Sequence, residues 1–165
     1  MESTNNIAAE SLTANYEQQA ETLLQMVSAV VPGNIGRRPD ATRWSVLEVV
    51  CHLADAELLA SVRIRRTITQ DRPKFWGYKQ EQWTELLESR RRRIETVSAR
   101  FAMLRRENAE LLADLADEGW SQSGTHDEYG TLSLRQLIED YIAHTANHLD
   151  QIKRIAAELD SQNND

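Results

Sequence analysis

The sequence predicts an all-α protein, a four-helix bundle, on three observations. The chain of 165 residues contains only six Gly and three Pro, and the turn signals fall in a few places. Between them, apolar residues recur at three- and four-residue steps, which places them on one face of a helix. Two segments open with a capping box, a pattern typical of helix starts. We expect one domain over residues 1–165, with its core between about residues 13 and 159.

Two predicted helices occupy the first half of the chain. The first covers about residues 13–31, where apolar residues repeat on one face and a Pro-Gly pair follows. The second starts at Ser45, because Ser45 and Glu48 fit a capping box in which each side chain satisfies a free backbone amide. It continues to about residue 70, and Pro73 prevents its extension.

The second half of the chain predicts two more helices. An apolar repeat over about residues 80–115 predicts one long helix, whose arginines, Arg105 among them, we expect on an exposed face beside glutamates. Ser133 opens the fourth helix with a second capping box, and this helix extends to about residue 159, so residues 160–165 should fray. The polar, glycine-flanked loop between these two helices holds His126, which we expect to be exposed.

The acidic balance of the chain argues against some classes of partner. Its formal net charge of −7 disfavours nucleic acid and anionic membranes, which would repel it. Cys51 is the single cysteine, so neither an internal disulfide nor a cysteine-rich zinc site can form. The first residues show no signal-peptide pattern, and no window is apolar for long enough to span a bilayer. We expect a soluble cytoplasmic protein with no nucleic-acid or membrane partner.

The histidines carry the clearest chemical signal. His144 and His148 are four residues apart in the fourth predicted helix, so both imidazoles lie on one face and can reach one point. That face also carries the apolar stripe, and a polar side chain buried there needs a partner. His52, near the core stripe of the second helix, is the candidate third ligand. A shared metal ion and hydrogen-bonded core histidines are both consistent with this spacing.

Three residues near these histidines are candidates for orienting a metal ligand from outside the coordination shell. Asp55 and Gln151 each lie three residues from a proposed ligand, and Glu48 shares a helix face with His52. Each residue also has an explanation that needs no metal. Glu48 completes a capping box, and Asp55 and Gln151 suit solvated surface positions.

A pocket for a small-molecule substrate is predicted beside the histidines. Trp76 and Tyr78 belong to a short aromatic connection after the second helix, and apolar residues of this kind often line binding sites. Arg66, with Arg63 and Arg65, lies near the end of the second helix, where it is placed to hold a substrate carboxylate. Stabilisation of the helix C-terminus explains these arginines equally well.

Two segments of the chain resemble the DinB/YfiT superfamily of small four-helix metalloproteins. They are residues 44–57, WSVLEVVCHLADAE, and residues 134–152, LRQLIEDYIAHTANHLDQI. The connection over residues 72–83 and the loop over residues 124–130 are also similar to that family, so the resemblance covers most of the chain from about residue 44 to residue 155.

The resemblance implies a metal site between the second and fourth helices. Three histidines hold a divalent ion in this family, and the matching positions here are His52, His144 and His148. The implied ion is nickel, zinc, iron or manganese. Family habit also implies a homodimer.

The resemblance implies an enzyme acting on a small molecule, but it does not determine the reaction. Our leading expectation is a transferase that uses a low-molecular-weight thiol of the bacillithiol or mycothiol type, since an open metal position would hold the thiolate. The alternatives are a hydrolase that uses metal-activated water, a non-catalytic stress-response or binding module stabilised by its metal, and a metal-free interaction bundle. No residue is identified as a general base.

Overall fold

The computed structural model describes residues 2–163, which form five helices and a small three-stranded sheet. The helices are α1 (Glu2–Ala29), α2 (Val46–Thr69), α3 (Gln80–Leu86), α4 (Ile94–Ala113) and α5 (Leu134–Gln162). The strands are β1 (Lys74–Phe75), β2 (Ser123–His126) and β3 (Gly130–Ser133). None of the helices within these residues is both long and apolar enough to cross a lipid bilayer.

The four long helices, α1, α2, α4 and α5, form the predicted bundle. Both α1 and α2 pack against α4 and α5, and within residues 2–163 no comparable contact joins α1 to α2. The first two helices of the chain therefore occupy diagonally opposite corners of the bundle. The long connection over residues 30–45, which includes a short 3₁₀ turn at Pro32–Asn34, allows this crossing.

The two capping boxes set the starts of the helices that carry the histidines. Ser45 Oγ accepts a hydrogen bond from the Glu48 backbone amide at 3.3 Å, and Glu48 Oε2 accepts one from the Ser45 amide at 2.9 Å. Ser133 and Gln136 make the same reciprocal pair at the start of α5. Both predicted starts are confirmed. Helix α5 continues to Gln162, beyond the predicted end, and the last two residues of the expected frayed tail lie outside the described residues.

The third predicted helix is in fact two helices. Glu88 has a φ of 52°, in the left-handed region, and a 3₁₀ turn at Ser89–Arg91 follows before α4 begins. The apolar repeat that predicted one continuous helix includes Leu87, which is 46% exposed and contributes little to the core. The break lets α3 pack against α2 while α4 packs against both α1 and α2.

The small sheet replaces the irregular loop expected between the last two helices. Strand β1 pairs in parallel with β2, so that Phe75 lies opposite His126, and β2 pairs antiparallel with β3. Gly124 permits the close approach of Phe75, because a Cβ at this glycine would lie 2.3 Å from the aromatic ring. The sheet thereby ties the connection after α2 to the segment before α5.

The core has two apolar halves with a polar layer between them. One half surrounds the first part of α2 and the last part of α5, and the other surrounds the second part of α2 and the start of α5. Arg105 lies in the polar layer at 0% exposure, with its Nε 3.2 Å from Glu57 Oε2. The expectation that Arg105 lies on a solvated face is therefore wrong. Inside the bundle its guanidinium pairs with the Glu57 carboxylate, and its central carbon lies 3.9 Å from the centre of the Tyr16 ring.

Candidate metal centre

The three sequence-predicted histidines meet between α2 and α5. One ring nitrogen from each of His52, His144 and His148 lies within 4.8 Å of the other two. The Nε2 atoms of His52 and His144 are 2.9 Å apart. The three ring centroids are separated by 5.0, 4.7 and 4.6 Å. The cluster lies at the level where the two apolar halves of the core meet. Helix α2 contributes His52, and α5 contributes His144 and His148.

Neighbouring side chains orient two of the three rings. The Nδ1 atom of His148 lies 2.8 Å from Gln151 Oε1, and because an amide oxygen only accepts, this nitrogen carries the proton. The lone pair of His148 is then on Nε2. His52 Nδ1 lies 3.0 Å from the Tyr78 hydroxyl, which leaves its Nε2 facing the cluster. For His144, the buried Nδ1 has no hydrogen-bond partner among residues 2–163.

The electrostatics of the cluster favour neutral imidazoles. Burial, followed by the neighbouring His144 and His148, lowers the pKa of His52 to about 3. Burial and then His148 lower the pKa of His144 to about 4. Burial also lowers the pKa of His148, against the opposing effect of Gln151. At neutral pH all three rings are therefore neutral, each with one protonated nitrogen and one lone pair that can bind a metal ion.

A cavity of about 660 Å³ opens beside the histidine cluster. Its inner wall includes His52, His144 and Tyr141 from the two long helices, while Tyr78 and His126 come from the connecting segments. A volume of this size is typical of small-molecule sites. The cluster is thus reachable from outside the bundle through a space that can hold a substrate.

The three candidates for orienting a metal ligand have different neighbours. Gln151 contacts His148, as described above. Asp55 instead pairs with Arg100 on α4, with 2.5 Å between Asp55 Oδ1 and Arg100 Nη2. Glu48 is 1% exposed and is held by the Ser45 cap and by Arg38, whose Nε donates to Glu48 Oε2 at 2.8 Å. Neither Asp55 nor Glu48 contacts a histidine of the cluster through any described interaction.

The pocket candidates are only partly brought to the cavity. Tyr78 lines it and contacts His52. Trp76 is 68% exposed and stacks over Arg66, with the guanidinium carbon 5.7 Å from the ring centroid, and neither residue is part of the cavity wall. A hydrogen bond to the backbone also fixes Arg66: its Nη1 donates to the carbonyl oxygen of Lys74 at 2.9 Å.

His126 lies in an environment different from the one that its sequence context predicts. It is 3% exposed and lines the cavity, so the expectation of an exposed loop histidine is wrong. The pairing of β2 with both β1 and β3 turns its side chain inward, where Arg63 Nη2 lies 3.1 Å from His126 Nε2. The four residues of β2, Ser-Gly-Thr-His, contain no alternating apolar residues, so the sequence gives no signal for this strand.

Curated relatives of this chain include proteins assigned to metal-dependent hydrolysis. A protein of Oceanobacillus iheyensis named "Putative metal-dependent hydrolase" is 29% identical over 117 residues, which is 71% of this chain and 67% of that protein. "Putative metal-dependent hydrolase YfiT" of Bacillus subtilis is 25% identical over 117 residues, which is 70% of this chain and 66% of its own length. The chain therefore spans about two thirds of the length of these relatives.

A solved structure and a family model agree with the fold. The structure of YfiT from Bacillus subtilis, described as having an unusual four-helix bundle topology, superposes with a TM-score of 0.84 at 21% sequence identity. The match covers 92% of this chain and 87% of that one. The family model of the DinB superfamily matches residues 15–152. Because that match covers most of the residues of this chain, the chain belongs to the DinB superfamily.

Proposed function

We propose that this protein is a divalent-metal-dependent hydrolase of a small molecule, with His52, His144 and His148 as the metal ligands. The observation that carries the proposal is the convergence of three neutral imidazoles beside an open cavity, which His52 and His144 line. The names of the curated relatives support hydrolysis as the reaction class.

The donor set fits such an ion. In a tetrahedral site with metal–nitrogen bonds of about 2.0–2.1 Å, neighbouring ligand nitrogens lie roughly 3.3 Å apart. The His52–His144 separation of 2.9 Å and the upper limit of 4.8 Å within the cluster bracket this value. Three neutral nitrogen ligands suit zinc, nickel or iron(II) better than magnesium or calcium, which prefer oxygen.

Each residue at the site has a defined task. A divalent ion held by the three histidines would supply Lewis acidity, which lowers the pKa of a water molecule and polarises a substrate carbonyl or related group. Gln151 fixes the His148 tautomer so that Nε2 faces the cluster. From the cavity side, the Tyr78 hydroxyl holds His52 Nδ1 at 3.0 Å, which leaves Nε2 facing the cluster. The cavity beside His52 and His144 admits the substrate, and the buried apolar halves of the bundle keep the two ligand-bearing helices in register.

The cavity argues against a purely stabilising metal. A structural zinc site is normally closed by four protein ligands, whereas the cluster among residues 2–163 has three members. It also adjoins a cavity of about 660 Å³, which a non-catalytic stabilising site does not require. Both features favour a site that exchanges ligands.

Thiol transfer remains a second use of the same site. An open metal position also binds a thiolate, so a transferase using a thiol of the bacillithiol type is chemically compatible with three histidines. The names of the relatives favour hydrolysis over this reaction.

One experiment separates these reactions. Zinc-loaded protein, the chelated protein and His148→Ala would be assayed with p-nitrophenyl acetate and a panel of simple esters and amides, and in parallel with bacillithiol plus 1-chloro-2,4-dinitrobenzene. We expect hydrolysis by the zinc-loaded protein that chelation abolishes, that added zinc restores and that the variant lacks. Zinc-dependent thiol conjugation without hydrolysis would replace the proposal with a transferase.

Replacing Gln151 with alanine should weaken zinc binding about tenfold, because loss of an outer-sphere partner of a histidine ligand typically costs 10- to 100-fold in affinity. Competition with a chromogenic chelator measures the change. Asp55→Ala is the matched control, since Asp55 is equally spaced from a proposed ligand but pairs with Arg100. Equal zinc affinities for the two variants would contradict the role assigned to Gln151.

A further inference from the structure

Arg63 lines the same cavity as His52 and His144, and neutral groups hold its guanidinium in place. Nη1 donates to the Tyr141 hydroxyl at 2.9 Å. Nη2 donates to the Trp76 carbonyl oxygen at 2.7 Å and to His126 Nε2 at 3.1 Å. The three acceptors come from α5, from the segment after β1 and from β2, so the position of this cation is set by three separate parts of the fold.

The charge of Arg63 lacks an acidic partner within residues 2–163. The neighbouring arginines of α2 are satisfied differently: Arg65 pairs with Glu107 at 2.7 Å, and Arg66 stacks on Trp76. Arg63 is half-buried, and a partly desolvated cation without a counter-charge is unfavourable. A fixed, uncompensated cation in a cavity wall is the arrangement that an anionic ligand completes.

The guanidinium retains the donors that such a ligand needs. A guanidinium has five N–H groups, and the three hydrogen bonds use three of them. The Nε hydrogen and one Nη1 hydrogen remain on different edges of the guanidinium, and either can donate a charge-assisted hydrogen bond to an oxyanion. On its other side, His126 Nδ1 accepts from the Glu128 backbone amide at 3.1 Å and also lies 3.1 Å from Asp127 Oδ1. A neutral imidazole carries no charge in either tautomer, so His126 leaves the positive charge of Arg63 unneutralised.

Helix geometry places Arg63 on the same side of α2 as the metal ligand. His52 and Arg63 are eleven residues apart, which is about three helical turns and about 16 Å along the axis. Side chains lean towards the N-terminus of their helix, so the long Arg63 side chain extends back towards His52. One substrate can contact both ends of the cavity.

We propose that Arg63 is the oxyanion-binding subsite of this cavity, and that the substrate carries a single carboxylate or phosphate group that Arg63 holds while its reactive group faces the three histidines. The inference rests on the proposed function and specifies its substrate class. The exposed acids Glu81, Glu128 and Asp140 at the mouth of the cavity disfavour polyanions such as nucleoside triphosphates.

The test uses metal-free protein, so that an anion cannot bind at the metal. Benzoate and phenyl phosphate are titrated into wild type, Arg63→Met and Arg66→Met by isothermal calorimetry at low ionic strength, with benzamide as the neutral analogue. We expect Arg63→Met to lose about 10- to 100-fold in anion affinity, the range for charged hydrogen bonds. Arg66→Met should bind as wild type, benzamide should not bind, and the preferred anion identifies carboxylate or phosphate.

Two further readouts keep the result interpretable. Zinc stoichiometry of Arg63→Met should equal that of wild type, because Arg63 is not a ligand. If Arg63→Met does not fold, the Arg63 Nε–H resonance of the wild-type protein, assigned with Arg63→Lys, should shift on addition of the preferred anion.

Outcomes for this subsite and for the hydrolase proposal are separable. Equal anion affinity in wild type and Arg63→Met, or an unmoved Arg63 resonance, overturns the subsite even when zinc binds stoichiometrically. Failure of the wild type to retain any metal overturns the hydrolase proposal, whatever the anion titration gives.

Discussion

Replacing His144 with alanine should lower the zinc affinity of this protein by at least about 100-fold. The change removes one of three nitrogen ligands, and even the loss of an outer-sphere partner typically costs 10- to 100-fold. His144 Nε2 lies 2.9 Å from His52 Nε2, close enough for one ion to bind both nitrogens. Calorimetric titration of the metal-free protein with zinc measures the affinity directly.

His126→Ala is the matched control for this prediction. His126 is also a buried histidine of the cavity wall, but its ring contacts Arg63 and Asp127 and is not part of the cluster. Its removal should leave zinc affinity unchanged. Comparable losses in His126→Ala and His144→Ala would mean that the three-histidine cluster is not the zinc site.

Replacing Arg105 with methionine should lower the free energy of unfolding by about 3–5 kcal/mol, because it leaves the buried Glu57 carboxylate without its cationic partner. Glu57 is 1% exposed and also receives hydrogen bonds from the Tyr16 hydroxyl and from Asn108 Nδ2, the latter at 2.8 Å. Arg105 itself donates through Nη2 to Thr145, the neighbour of His144. Urea denaturation followed by circular dichroism gives the change in free energy.

The neighbouring Arg106 offers a control of the same residue type. It is exposed and pairs with Glu21 at 3.4 Å, so Arg106→Met should change stability by no more than about 0.5 kcal/mol. Adding Glu57→Gln to Arg105→Met should recover much of the loss, because the double variant no longer buries an unpaired charge. A loss below about 1 kcal/mol in Arg105→Met would show that the buried pair contributes little.

The helices were predictable where local chemistry determines them. Ser45 with Glu48, and Ser133 with Gln136, satisfy backbone amides within one turn, so the starts of α2 and α5 follow from four residues. The break at Glu88 has no such signal, because neither glycine nor proline marks it and the left-handed φ is adopted by a glutamate. The break depends on packing of α3 against α2, which only the folded chain contains.

The residues of the candidate site were likewise predictable only where local helix geometry or the family resemblance places them. The spacing of His144 and His148 follows from helix geometry, and His52 from its helix face and from the family resemblance. Gln151 and Asp55 have the same three-residue offset from a histidine, yet one contacts a ring and the other contacts Arg100. Which of them faces the cluster depends on where α4 lies, and that is a tertiary property.

Burial of polar residues was the least predictable feature. His126 and Arg105 lie in segments rich in polar residues, a pattern that indicates solvent exposure. Both are buried because each has a polar partner that is distant in the sequence: His126 contacts Arg63, and Arg105 pairs with Glu57. Partners separated by tens of residues leave no periodicity in the sequence.

The most direct test of the metal centre is anomalous diffraction at the zinc absorption edge from crystals of the zinc-loaded protein. We predict one strong anomalous peak about 2.0–2.1 Å from the Nε2 atoms of His52, His144 and His148, with an open coordination position towards the cavity. An anomalous peak elsewhere, or no peak after loading with stoichiometric zinc, would contradict the three-histidine metal centre.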